Sequence, residues 1–326
     1  MFSIARYKDL EKREFEIEVV TPLFLGGADS KKADLRVPSI KGAMRFWWRS
    51  LYSENDLNKM AARESEIFGS TEKKSLVSIK IGDSLIKSGF SNLPQGKMVP
   101  VEGKSFSTSI INYLAYGLFE YKRETKSTVY SKEYIQPAGK FKIILNYPKN
   151  IENETIKALK ALVSFGGLGA RSRNGFGSLY CPELIDYSFK KDGNLKTYTA
   201  FSGDTILFDN FQPYNKWEDA LSEIGVIYRE ARLGLEQRHT WDKRAFIAMP
   251  IEAKNERIPL AISNGRHAKP YFLHVNKTPE GKYQGHILFL PYLYKTGAEG
   301  ANRVKDYSEV CGRMNDEINK RMGVKK

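Results

Sequence analysis

Alternating polar and apolar residues predict a first β-strand over residues 14–22, which read EFEIEVVTP. The pair Gly26–Gly27 follows and is typical of a turn. A long helical pattern begins after Pro38, with Ser39 as the expected N-cap residue. Leu76–Gly82 is then predicted as a second strand. The chain is therefore expected to open as strand, helix and strand.

Residues 84–139 interrupt this regular pattern, because they are rich in Gly, Ser and Lys and hold one apolar island at Ile110–Phe119. An irregular stretch of this length is uncommon inside a domain, so we predict an insertion that contacts a partner. After it, Lys140–Tyr147 is predicted as a third strand, Ile151–Phe165 as an amphipathic helix, and Phe176–Phe189 as the start of a fourth strand. This is the element order of the split βαβ, or ferredoxin-like, fold.

The second half of the chain has weaker patterns of the same kind. Trp217–Leu233 has helical periodicity, and Tyr271–Val275 and His286–Tyr292 are predicted as paired strands around a turn at Thr278–Gly281. A terminal helix is predicted from one apolar stripe, formed by Val304, Tyr307, Cys311, Met314 and Ile318. These elements fit a second, degenerate ferredoxin-like domain.

The predicted fold class is α+β, with two tandem ferredoxin-like (βαββαβ) domains. The first domain is expected over residues 1–190 and contains the insertion 84–139. The second is expected over residues 191–326. The boundary is placed within 186–205, where Lys, Asp, Gly, Asn and Thr cluster.

Charge makes an anionic partner the leading expectation. The 52 Lys and Arg residues exceed the 38 Asp and Glu residues, which gives a formal net charge of +14. Nucleic acid is the first candidate, because its phosphates offer a dense target for cations. No apolar run is long enough to span a membrane, and Cys181 and Cys311 alone build neither a disulfide framework nor a zinc site. We expect a soluble cytoplasmic protein without a membrane partner.

The helical segment IKGAMRFWWRSLY combines an apolar face with a basic one. The apolar face, expected in the core, consists of Ile40, Met44, Trp47 and Leu51. Lys41, Arg45 and Arg49 lie four residues apart on another face, which Trp48 borders. Like charges at this spacing repel by roughly 0.2–0.5 kcal/mol per pair, and no acidic residue within the helix offsets them.

This basic face has two interpretations. An external anion would relieve the repulsion, and a tryptophan beside guanidinium groups suits an unpaired base with its phosphates. We therefore predict that Lys41, Arg45 and Arg49 contact phosphates and that Trp48 stacks on a base. The alternative is a solvated charged face with Trp48 buried against another element.

A glycine-rich basic loop is predicted over residues 165–179, FGGLGARSRNGFGSL, between a helix and a strand. Glycine permits positive φ and close approach of the backbone, and successive N–H groups in such turns can bind an anion. Arg171 and Arg173 add positive charge. The segment is not a dinucleotide-binding fingerprint, because Ser172 stands where the third glycine belongs. A tight structural turn is the alternative interpretation.

Four segments resemble the RAMP superfamily of CRISPR RNA-guided systems: TPLFLGGA, PSIKGAMRFWWRSLY, ESEIFGS and FGGLGARSRNGFGS. The glycine-rich loop is the superfamily signature. The basic helix with the following EIFGS is more specific, and it is similar to the family of first-numbered subunits of the Cmr complex, the type III-B RNA-silencing effector. The matching blocks cover residues 21–70 and 165–178, and no motif matches in the second half.

The resemblance implies tandem ferredoxin-like domains and a subunit that is not the nuclease. It implies contacts with guide and target single-stranded RNA in antiviral defence, and with other subunits of the Cmr complex. The candidate RNA-binding residues are Gly26, Gly27, Arg36, Lys41, Arg45, Trp48, Arg49, Gly167, Gly169, Arg171, Arg173 and Asn174.

A metal-independent endoribonuclease that processes guide RNA is the alternative function. Such an enzyme usually uses a histidine for proton transfer, yet none lies in the first 238 residues. Tyr or Lys could take that role there. His239, beside Asp242 and Lys243, is the best remaining histidine, although such a residue is more often a surface or hydrogen-bonded structural histidine. No carboxylate pair or His cluster has metal-ligand spacing. We predict no catalytic residue, no metal and no cofactor.

A structural adaptor that binds only protein is the third function class. The insertion 84–139 and the terminal helix could provide its contacts. This class leaves the net charge of +14 unexplained, whereas RNA binding and adaptor contacts are compatible with each other. We therefore expect both.

Overall fold

The computed structural model combines α-helices with antiparallel β-sheets, and it describes residues 10–101, 105–122, 124, 127–190, 193–237, 240–249, 251, 266–294 and 300–323. The strands are β1 (Leu10–Val19), β2 (Ser78–Leu85), β3 (Ser88–Gly89), β4 (Met98–Pro100), β5 (Ser107–Ser109), β6 (Phe119–Lys122), β7 (Ser127–Tyr130), β8 (Tyr134–Ile135), β9 (Lys140–Pro148), β10 (Leu179–Tyr180), β11 (Ile206–Phe208), β12 (Pro213–Tyr214), β13 (Tyr271–Lys277) and β14 (Tyr283–Phe289). The α-helices are α1 (Val37–Tyr52), α2 (Leu57–Phe68), α3 (Ile110–Leu114), α4 (Glu152–Phe165), α5 (Trp217–Leu233), α6 (Arg244–Ile247) and α7 (Gly300–Arg321).

The chain divides into two compact units. The first comprises Met1–Asn92, Ala115–Phe189 and His274–Lys277. The second comprises Leu93–Leu114, Lys190–Leu273 and Thr278–Lys326. The segment predicted as an irregular insertion thus contributes Leu93–Leu114 to the second unit, and it forms short strand pairs in addition to α3.

A four-stranded antiparallel sheet organises the first unit, with strand order β10-β1-β9-β2. Its two central strands pair over nine positions, from Leu10 opposite Pro148 to Glu18 opposite Lys140. Apolar residues alternate along β9, so that one side of the strand is buried and the other is more exposed. The strands of this sheet and the helices α1, α2 and α4 follow in the chain as strand, two helices, strand, strand, helix and strand.

Helices α1 and α4 pack together in the first unit. Ile40, Met44 and Trp47 are buried along α1, as their spacing predicts. On α4, Leu159 and Leu162 are fully buried. The predicted helix over Ile151–Phe165 is confirmed with a start one residue later.

Two local predictions in the first unit are wrong. Helix α1 has Arg36, not Ser39, as its N-cap residue. The reason is that Pro38 lies in the first turn, where its fixed φ and missing N–H cost nothing. The predicted fourth strand is reduced to Leu179–Tyr180, because a 3₁₀ turn begins at Pro182.

In the second unit, α5 packs against β14, α3 and α7. Helix α5 has the predicted bounds, Trp217–Leu233. The predicted hairpin turn is also confirmed, because Thr278 N–H donates to Lys282 O and Gly281 N–H donates to Thr278 O. The sheet has the order β11-β14-β12, and β13 also pairs with β14.

The terminal helix α7 forms as predicted, and four members of its apolar stripe are buried: Tyr307, Cys311, Met314 and Ile318. The side chain of Val304 lies outside what the structure describes. Among the described helices, none combines the length and the apolarity that a membrane crossing requires.

Candidate functional site

A stripe of basic residues runs along α1, on a side that is partly open to solvent. Lys41, Arg45 and Arg49 follow one another at four-residue spacing, so their side chains leave the same side of the helix. All three are partly exposed, as is Arg36 at the N-cap. The structure therefore brings these four predicted residues together on one element.

The carboxylate of Glu64, on α2, binds two of these arginines. Arg45 Nε and Arg49 Nη1 both donate to Glu64 Oε1, the second across 2.7 Å. The Glu64 side chain is only 8% exposed. The expected repulsion between Arg45 and Arg49 is thus relieved within the chain. Lys41, in contrast, has no carboxylate partner among the described residues.

Trp48 is buried, with 2% of its surface exposed. Its ring stacks on Tyr52 at a centroid distance of 4.6 Å and meets the edge of Phe68. Its Nε1–H donates to Glu154 Oε1 across 3.3 Å. The expectation of an accessible stacking platform at Trp48 is therefore wrong, because α2 and its neighbours cover the ring.

An open groove of about 790 Å³ lies beside the N-terminal half of α1. Its lining is formed by Pro38, Lys41, Gly42, Arg45, Phe68, Gly69, Ser70, Thr71, Lys73, Lys74 and Ser75. Like Lys41, Lys73 and Lys74 have no carboxylate partner within the described part of the chain. Burial first, and then the positive charge of Arg45, lower the pKa of Lys41. The groove thus concentrates positive charge that nothing in its own lining neutralises.

The loop after α2 gives this groove a defined wall. Gly69 ends the helix with a φ of 81° and donates its N–H to Ser65 O across 2.9 Å. The Ser70 N–H donates to Lys73 O, and Ser70 Oγ accepts the N–H groups of Glu72 and Lys73. Lys73 is therefore held on an ordered turn, next to α1.

The glycine-rich loop packs against the segment that follows β1. Ala170 N–H donates to Phe24 O across 2.8 Å, and Gly177 N–H donates to Pro22 O across 2.9 Å. A Cβ on Gly169 would collide with the carbonyl of Phe24, and one on Gly167 would lie 2.8 Å from the carbonyl oxygen of Phe176. These glycines are required for close backbone packing. Their binding of an anion through backbone N–H groups stays a prediction.

Two arginine side chains of this loop lie away from its packed backbone, one exposed to solvent and one against α1. Arg171 is exposed and has a φ of 60°, and Asn174 donates its N–H to Arg171 O across 2.8 Å. The guanidinium of Arg173 lies over the ring of Phe46, on α1, at 5.3 Å from the centroid. The glycine loop and α1 are therefore in contact, and the two predicted basic elements meet at one helix.

Gly26 and Gly27 serve the same region through the backbone. Gly26 forms a bridge with Ala33, and a Cβ on Gly27 would overlap the Asp34 carboxylate. A buried histidine also supports the glycine loop, since His274 Nδ1–H donates to Gly166 O. Burial lowers the pKa of His274 to about 4, so this ring is neutral at physiological pH.

Sequence reasoning missed Lys73 and Lys74, although they lie three and four residues after the EIFGS segment. It also missed Glu64, because a partner on a second helix leaves no trace in the periodicity of α1. His239, the alternative catalytic candidate, lies outside the described residues. Within the described part of the chain, no three His, Cys, Asp or Glu side chains are placed to hold a metal ion.

Comparison with known proteins identifies similar sequences and a similar fold. Residues 16–180 match the model of the RAMP superfamily. The chain is 32% identical over 172 residues to the CRISPR system Cmr subunit Cmr1-1 of Pyrococcus furiosus, a match that covers 51% of this chain and 46% of that protein. It is 30% identical over 173 residues to Cmr1-2 of the same organism, covering 51% of this chain and 92% of that protein.

The match thus spans about half the length of the first relative. The crystal structure of Cmr1 from Pyrococcus furiosus, in its apo form, aligns with a TM-score of 0.55 and 20% sequence identity. This alignment covers 94% of this chain and 96% of that chain. The chain and that protein therefore share a fold.

Proposed function

The chain belongs to the RAMP superfamily, and from this premise we propose that it is a non-catalytic, RNA-binding subunit of a type III-B CRISPR (Cmr) effector complex. In this role it contacts guide or target single-stranded RNA, together with other Cmr subunits, in antiviral defence in the cytoplasm. The two relatives named as Cmr subunits support the complex. The RNA contact rests on the surface of α1.

One observation carries the RNA-binding proposal: the groove beside α1 collects Lys41, Lys73 and Lys74 without an acidic partner among the described residues. Ammonium groups that line one groove repel each other, and phosphate oxygens are ligands that remove this repulsion. The groove is open and larger than a single phosphate, so it suits a stretch of sugar–phosphate backbone. Arg45 extends the same positive surface along α1.

The same lining argues against catalysis at the groove. It contains no His, Asp, Glu or Tyr, so it offers no pair of groups for general acid–base cleavage of RNA. Burial and the charge of Arg45 lower the pKa of Lys41, and we assign this side chain to phosphate binding. We expect the chain to leave guide precursor and target RNA intact, with and without divalent metal. Cleavage that is lost in His239→Ala would favour the processing endoribonuclease instead.

We extend the proposal to the fold. The strand order β10-β1-β9-β2, with a helix after the first and third of these strands in chain order, supports a ferredoxin-like first unit. The second unit, with its own antiparallel sheet and α5, is proposed as a degenerate copy. The principal boundary between the two domains is proposed near residue 190.

Titration of labelled single-stranded RNA tests the groove. The triple variant Lys41→Ala, Lys73→Ala, Lys74→Ala should bind weakly, and its salt slope should fall by about two units, since each single-strand phosphate contact contributes about 0.7. The matched control replaces Lys80, Lys87 and Lys157, which are exposed in the same unit but do not line the groove.

The control variant loses the same charge and should keep most of the affinity. Equal losses in both triple variants would show that only net charge matters and would reject the groove as the site. No binding by the unmodified chain, even at low salt, would favour the protein-only adaptor.

A further inference from the structure

A tight turn presents one aromatic side chain to solvent in the first unit. Leu118 N–H donates to Ala115 O across 3.0 Å, and Gly117 has a φ of 85°. This is the third position of a turn that requires glycine, as in type II turns. Ala115 and Leu118 are buried, whereas Tyr116 between them is 57% exposed. The turn is therefore anchored at both ends and holds Tyr116 at its tip.

The exposed arginine of the glycine loop reaches this tip. A Cβ built on Gly117 would lie 2.6 Å from Arg171 Nη2, so the guanidinium rests against the bare backbone of the turn. Arg171 itself has a φ of 60°, a conformation that costs a non-glycine residue about 1 kcal/mol or more. The strained residue thus places its cation against Gly117, the residue that follows Tyr116 in the chain.

The turn that carries Tyr116 and the glycine loop that carries Arg171 are linked through the same neighbouring residues. Phe24 O accepts the N–H of Ala170 in the glycine loop, and the Phe24 ring stacks on Tyr130 at 6.2 Å. The next residue, Ser131, donates its N–H to Leu118 O across 3.1 Å. The two backbone segments that carry the ring and the cation are therefore held in place by packed side chains and backbone hydrogen bonds.

We propose that Tyr116 and Arg171 form a nucleotide-binding patch, in which an unpaired RNA base stacks on the Tyr116 ring and an adjoining phosphate binds Arg171. The inference rests on the proposed function, since it names a contact of the same RNA ligand. In proteins that bind single-stranded nucleic acid, bases stack on exposed aromatic rings and nearby basic side chains bind the phosphates. It supplies the base contact that the buried Trp48 does not.

The test measures how the whole chain of 326 residues binds two labelled ligands of equal length. One is single-stranded RNA, and the other is its abasic counterpart, which keeps the sugar–phosphate backbone but has no bases. Tyr116→Leu should weaken binding of RNA by about tenfold and leave binding of the abasic ligand unchanged. Tyr116→Phe, which keeps the ring, should match the unmodified chain on both ligands. Arg171→Ala should weaken binding of both ligands, more than Lys157→Ala, a control for the lost charge.

The outcomes separate this inference from the proposed function. If Tyr116→Leu binds RNA as tightly as the unmodified chain does, the patch is rejected while RNA binding stands. Equal weakening of Tyr116→Leu on both ligands would show that the ring only supports Arg171, which also rejects stacking. If the unmodified chain binds neither ligand, the proposed function is rejected and the patch with it.

Discussion

Arg49 Nη1, on α1, donates a hydrogen bond across 2.7 Å to Glu64 Oε1, on α2. Arg45 donates to the same oxygen, so one nearly buried carboxylate orients two partly exposed guanidinium groups. A guanidinium carries five N–H donors, and those that Glu64 does not use stay open to an external acceptor. Glu64 therefore lowers the local charge but fixes the direction of the remaining donors.

Replacing Glu64 by Gln tests whether RNA binding depends more on the orientation of Arg45 and Arg49 or on the net charge of the chain. The substitution raises the net charge by one, which by itself would strengthen RNA binding. We expect weaker binding instead, by about 1 kcal/mol or roughly fivefold in Kd, because ordering the freed arginines then costs binding energy. RNA titration of the variant at fixed salt measures the sign of the effect.

Glu66→Gln is the matched control for this variant. Glu66 lies on the same helix, is 46% exposed and pairs with Arg63 rather than with the arginines of α1. It carries the same charge change, and a slight increase in RNA affinity is expected. If Glu64→Gln strengthens binding as much as Glu66→Gln does, orientation by Glu64 is not part of RNA binding.

Trp48→Ala should destabilise the fold of the first unit. The ring is buried against Tyr52 and Phe68, and truncation of a large core aromatic costs about 3–5 kcal/mol. Trp47→Ala should cost a similar amount, since Trp47 is equally buried. Chemical denaturation measures both losses. A Trp48→Ala variant with unchanged stability and weaker RNA binding would restore base stacking to this residue.

His274 should make stability depend on pH below neutrality. Burial lowers its pKa from 6.5 to about 4, against the hydrogen bond to Gly166, which raises it. Between these values the unfolded chain binds a proton that the folded chain does not, so the free energy of unfolding falls as the pH drops from about 6.5 to about 4. The loss is about 3 kcal/mol, at 1.4 kcal/mol per pKa unit.

His274→Gln isolates this effect, because the amide can donate to the same carbonyl but does not titrate. Denaturant unfolding of both proteins between pH 7.5 and pH 4 should show the advantage of the unmodified chain shrinking as the pH falls. A difference that stays constant over this range would contradict the prediction. Other titrating groups are common to both proteins and cancel in the comparison.

Two glycine substitutions should change stability in opposite directions. Gly169→Ala places a Cβ against the carbonyl of Phe24 at a φ of 81°, and it should cost about 2 kcal/mol or more. Gly42→Ala, on an open side of α1 with no atom within 4 Å of the new Cβ, should gain about 0.5–1 kcal/mol. Thermal melts of the two variants check both signs, and a stabilising Gly169→Ala would refute the packing role of that glycine.

The periodicity of the sequence predicted where helices form better than it predicted which residues pack against them. Helix α5 has the predicted bounds because its apolar spacing is regular and Gly234 follows it directly. Trp48 was assigned wrongly because it lies at the border between the basic and apolar stripes of α1. Phe68 covers one side of its ring, and a neighbour on another helix cannot be inferred from the spacing within α1.

The sequence predicted which residues the candidate site contains better than it predicted how they pack. The basic stripe and the arginines of the glycine loop are where the sequence placed them, on α1 and beside it. The sequence predicts that the glycines hold an anion, but it does not predict that Gly169 packs against the carbonyl of Phe24, 145 positions earlier in the chain. Lys73 joins the site through the turn after α2, a contact set by tertiary packing.

The exchange of segments between the two units has a consequence for biosynthesis. Gly166 leaves the ribosome 108 residues ahead of His274, the side chain that holds its carbonyl. The first unit also includes His274–Lys277, whereas Leu93–Leu114, made early, belongs to the second unit. The order of synthesis therefore differs from the order of assembly, because the glycine loop is made before the strand that carries its hydrogen-bond donor. A fragment that ends before residue 274 lacks part of the first unit.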